Sequence, residues 1–137
     1  MNSLNLRKFP VTDLVVHRIR ALENKYWLEA LVLAHMYMET QLRMILGFDD
    51  FRKDNNTKDN EKVIKLASQA HKKGIIDDQL FEKIKRFNAA RNDDVHNLTI
   101  GIISYEDLEP MAIESDSLIN ELKQLEMAVR AQRNYPD

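Results

Sequence analysis

The chain has 137 residues, 44% apolar and 31% charged, with a net charge of -2 at pH 7. That is the length of one ordinary domain, and by the usual scaling it buries about two-thirds of its unfolded surface, enough for a single core over residues 1–137. The absence of cysteine excludes disulfides, thiolate nucleophiles and cysteine-bound zinc or iron–sulfur centres.

Apolar periodicity then gives the elements in chain order. Residues 12–24 predict a first helix with Leu14, Val15, Ile19 and Leu22 inward. Residues 26–46 predict a second, with the stripe Leu28, Leu31, Val32, His35, Met38, Glu39, Leu42, Ile45 and Leu46. Ala30, Leu33, Met36 and Tyr37 fall off that stripe, so this helix is apolar on more than one side. It should lie at the centre of a bundle or touch a second chain. The polar run 49–60 (DDFRKDNNTKDN) reads as a loop. A third helix follows over 59–73 and carries Val63, Ile64, Leu66, Ala67 and Ala70. Gly47 and Gly74 stand just past the second and third helices, where a left-handed C-terminal residue is expected. A fourth helix starts at the N-cap Asp77, carries Leu80, Phe81, Ile84, Phe87 and Arg91, and ends between Asp94 and Asn97. The fifth begins between Ser104 and Asp107, tolerates Pro110 in its first turn, and runs to about Asn134. The expected fold is all-α, a four- to five-helix bundle in one domain.

No run of about 18 apolar residues is present and the N-terminus, MNSLNLRKFPVTD, has no signal-peptide core. A cytoplasmic protein without a membrane partner is expected. A mildly acidic chain does not hold nucleic acid by bulk charge, so any such contact must be local or made by a pair of chains. There is no glycine-rich phosphate loop, no HExxH spacing and no strand-to-helix nucleophile elbow. His35 and Glu39 share a face four residues apart, but two ligands make a weak metal site. No cofactor is expected.

The stretch FNAARNDDVHN (87–97) stands apart. Leu80, Ile84, Phe87 and Arg91 form one helical line, so an arginine takes the next place on an apolar stripe. Asn88, Asn92 and His96, each four apart, form a second line. A guanidinium aimed at a core or an interface needs a carboxylate or phosphate partner, or water. Glu39 is the internal candidate.

On these residues the chain resembles the HEPN superfamily of small helical bundles, in which an R-x(4–6)-H motif closes the penultimate long helix and a polar residue often follows the arginine. Here the motif reads Arg91-Asn92-Asp93-Asp94-Val95-His96. The second helix, EALVLAHMYMETQL (29–42), is similar to the family's early helix with its acidic residue. The resemblance covers roughly residues 26–97, and the same helical plan is similar to the mannitol operon repressor family. It implies a metal-independent endoribonuclease of the toxin or defence kind, acting as a homodimer across the second and fourth helices. Arg91, Asn92 and His96 would then be catalytic, with Glu39, His35 and Asn88 in support, RNA as substrate and an antitoxin or regulatory protein as a further partner. The repressor likeness implies instead a non-catalytic regulator or protein-interaction module. Asp93 and Asp94 depart from an RNA-binding pattern, because their carboxylates repel phosphates.

Overall fold

A computed structural model describes residues 11–47 and 59–132. The described residues fold into five α-helices and one 3-10 turn, with no strand among them. The helices are α1 (Val11–Glu23), α2 (Trp27–Leu46), α3 (Asp59–Lys72), α4 (Asp78–Thr99) and α5 (Glu109–Gln132), and the 3-10 turn is Tyr105–Leu108. Most of the expected polar loop at 49–60 and the expected helix end at Asn134 lie outside the described residues.

α2 is the axis of the bundle and packs against α1, α3, α5 and the 3-10 turn. Its sequence explains why: Leu31, Met38, Leu42 and Ile45 are wholly buried on one side, and Ala30 and Ala34 are wholly buried as well. The small alanines allow a neighbouring helix to approach closely. Gln41 is buried in the same helix and donates from Nε2 to the Ile119 carbonyl of α5 at 3.2 Å. That bond ties a polar side chain to a backbone acceptor where water does not reach. α4 and α5 run antiparallel, since Lys83 pairs with Glu121 while Ala90, two turns on, shares a groove with Met111 and Glu114.

The helix ends follow local chemistry. Gly47 (φ 80°) and Gly74 (φ 74°) sit in the left-handed region past α2 and α3, which only glycine enters without a Cβ penalty. Asp77 caps α4, its side chain accepting from the Leu80 amide at 2.8 Å. Ser104 and Asp107 form a capping box at the 3-10 turn, from which α5 continues.

Three sequence expectations need correction. Ile19 is 43% exposed, and the buried places on α1 go to Arg18 and Ala21 instead. The bond of Arg18 to Asp116 on α5 rotates the helix away from the apolar line. Val32, on the expected stripe of α2, is 41% exposed, because the neighbours of α2 cover its Tyr37 and Gln41 side. α4 runs to Thr99, past the expected end at Asn97.

Buried polar groups also set the pH response. Glu126 on α5 is buried, and desolvation pushes its carboxyl above the usual range, while Arg130 and Lys123 pull the other way. A carboxyl with a raised folded pKa destabilises the fold wherever it is charged, and the penalty is relieved as pH falls through that raised value. Glu126→Gln is therefore expected to raise Tm at neutral pH by a few degrees, about 2–4 °C. The gain should shrink in acid, where the native carboxyl is already neutral. Thermal melts of both proteins from pH 4 to pH 8 check this.

Candidate functional site

The site is built on one side of α4. Phe87 and Ile84 are buried and hold the helix against the bundle, and Arg91 follows them half-buried. Asn88 is buried beside α2, where the Nε2–H of His35 donates to its Oδ1 at 3.2 Å. This bond crosses between helices and fixes both the register of α4 on α2 and the His35 tautomer. Along the second line of α4, exposure rises with each turn: Asn88 is buried, Asn92 intermediate and His96 exposed. A polar row thus runs from the bundle interior to solvent.

Arg91 and His96 are five residues apart, so at about 100° per residue their Cα–Cβ directions diverge by roughly 140°. Side-chain bonding narrows that gap. Nη1 of Arg91 donates to Oδ1 of Asn92 at 2.7 Å, turning the guanidinium off the apolar stripe toward the line that carries His96. Arg91 Nε is buried with no hydrogen-bond partner among the described residues. Glu39, the internal partner expected from the sequence, lies instead 3.5 Å from Nε of Arg43, four residues along its own helix. Arg91 forms no ion pair among the described residues. Burial pushes its pKa down, yet a guanidinium stays protonated throughout the useful pH range.

Acidic groups flank this cation. Burial, then the neighbouring charges of Asp93 and Asp107, push the Asp94 carboxyl up. Asp107 is held by its capping bond to the Ser104 amide. The fourth helix therefore presents a cation without a carboxylate partner, an amide and an exposed imidazole, beside a set of carboxylates. Among the described residues, no group of three or more histidine, aspartate or glutamate side chains gathers to hold a metal.

Sequence reasoning placed Arg91, Asn92 and His96 on one helix and gave His35 and Asn88 only as supporting residues; the structure brings those two together. It missed the Arg91–Asn92 bond, the Arg43–Glu39 pair and the Arg18–Asp116 pair. The Arg43–Glu39 pair had a local signal, since the two residues are four apart; the Arg18–Asp116 pair had none.

The class defined by this geometry is an all-α bundle bearing a cation–amide–imidazole row on its fourth helix. Comparison with family models, with characterised proteins and with solved structures returns no match for this chain. No helix among the described residues is long and apolar enough to cross a membrane.

Proposed function

We propose that the chain is a HEPN-like, metal-independent endoribonuclease acting as a dimer through Arg91, Asn92 and His96. The observation that supports it is the state of Arg91: a half-buried guanidinium, free of any ion pair among the described residues and drawn by Asn92 toward the line of an exposed histidine. A structural arginine would be expected to close on a carboxylate, and Glu39 is engaged elsewhere.

RNA supplies its own nucleophile. The 2′-hydroxyl attacks the adjacent phosphorus, the bond to the 5′-oxygen breaks, and the products are a 2′,3′-cyclic phosphate and a 5′-hydroxyl. The His96 imidazole takes or gives the proton in this exchange. Arg91 donates to the non-bridging oxygens and stabilises the charge that grows on them. Asn92 holds the guanidinium in place. In a dimer whose motifs face each other, two Arg91 guanidinium groups would share one cleft and double the local positive charge there.

The carboxylates of Asp93, Asp94 and Asp107 favour one competing reading, a non-catalytic regulator of the mannitol operon repressor type that binds protein. An assay on purified protein separates the two. End-labelled single-stranded RNA is expected to be cut in the presence of EDTA, leaving cyclic phosphate ends. Uncut RNA, or cleavage that needs magnesium and leaves 5′-phosphates, overturns the nuclease reading.

A further inference from the structure

Away from α4, a cleft of about 430 Å³ opens between α1, α2 and α5, with Val15, Ile19 and Leu22 along its apolar wall. Arg18 lines it from α1 with a side chain only 5% exposed. Its Nη2 lies 2.9 Å from Oδ1 of Asp116, a side chain that is itself 49% exposed. Nε and Nη1 are closed off from solvent and have no hydrogen-bond partner among the described residues. A guanidinium removed from water with two nitrogens lacking acceptors carries a desolvation cost. Native folds keep few such groups, and each calls for something that fills it.

The lining decides what kind of acceptor fits. Arg18 and Lys123 are offset by Asp116 and Glu23, so the cleft is neutral overall and disfavours a doubly charged phosphate. A single carboxylate fits if it takes the guanidinium from Asp116, whose half-exposed oxygens can return to water. The planar guanidinium matches a carboxylate, which can accept from two N–H groups at once. The exposed Ile19 beside it offers apolar surface for a ligand to cover.

We propose that the α1–α2–α5 cleft binds a small monocarboxylate bearing an apolar chain, its carboxylate on Arg18 in exchange for Asp116 and its chain along Val15, Ile19 and Leu22. The site is separate from the α4 row and does not depend on the nuclease reading.

Titration of the full chain with sodium octanoate, followed by NMR, tests this, with octan-1-ol as the uncharged control. Octanoate is expected to shift the Tyr37 ring and Ile119 methyl signals saturably, and octan-1-ol to bind about tenfold more weakly or worse. Arg18→Gln should weaken octanoate by a similar factor. Asp116→Asn removes the competing carboxylate and should tighten octanoate about threefold, with a thermal melt to confirm that the variant stays folded after the buried Arg18 loses its charged partner. Signals at Tyr37 and Ile119 that do not move mean that octanoate does not enter the cleft, and the proposal fails. Equal binding of the alcohol, or unchanged octanoate affinity in Asp116→Asn, overturns it as well.

Discussion

Arg91→Ala and His96→Ala are each expected to lower RNA cleavage by about a thousandfold, the combined range for a lost charge stabiliser or a lost acid–base group. The two losses have different causes. In the proposed mechanism, without Arg91 the growing charge on the phosphate oxygens would have no donor in a partly desolvated setting. Without His96, on the same mechanism, the proton of the 2′-hydroxyl would have nowhere to go but water. Arg91→Lys should not restore activity, since an ammonium cannot donate through two parallel N–H groups or keep the Asn92 bond with the same geometry. Folding should survive all three changes. His96 is exposed, and surface substitutions fall within about 0.5 kcal/mol. Arg91→Ala removes a half-buried cation whose Nε has no acceptor, so little stability is expected to be lost. Cleavage rates measured beside thermal melts separate catalysis from folding. Full activity in either alanine variant, with the fold intact, excludes Arg91 and His96 as the reacting groups.

Local chemistry made much of this architecture legible. The Asp77 cap, the glycines at 47 and 74 and the apolar spacing of α3, α4 and α5 each depend on residues within a turn or two of one another. They can be read in one pass along the chain. Errors arose where a distant partner decided the outcome. Ile19 looked like a core residue because spacing alone cannot show that Arg18 would turn inward to meet Asp116, almost a hundred residues on. Val32 looked buried because its neighbours on α2 are, yet which side of a broadly apolar helix is covered depends on where the other helices sit. The α4 row shows both cases. The line Asn88, Asn92, His96 follows from four-residue spacing, whereas the His35–Asn88 bond requires α2 and α4 to cross at one place. Arg91 stands out in the sequence as an arginine on an apolar stripe, but its rotamer, and hence its partner, is set by packing.

The stability of the whole bundle should depend most on α2, and Leu42→Ala tests that directly. Leu42 is wholly buried on the helix that contacts α1, α3 and α5. Truncation removes three carbon atoms from the core and leaves a void that three packed neighbours cannot all collapse to fill. Such changes cost about 2–5 kcal/mol, and the rigid surroundings of a central helix favour the upper half of that range. Set against a total of about 5–15 kcal/mol for a domain, the loss should lower Tm by about 10–20 °C. Val32→Ala on the same helix provides the comparison. Its side chain is 41% exposed, and alanine's higher helix propensity offsets part of the lost contact, so Tm should shift by no more than about 2 °C. Urea titrations with unchanged slope would place both effects in the native state. Similarly small losses at the two positions would mean that α2 does not hold the bundle together, whereas a large loss at Val32 would mean that a second copy covers this face of α2.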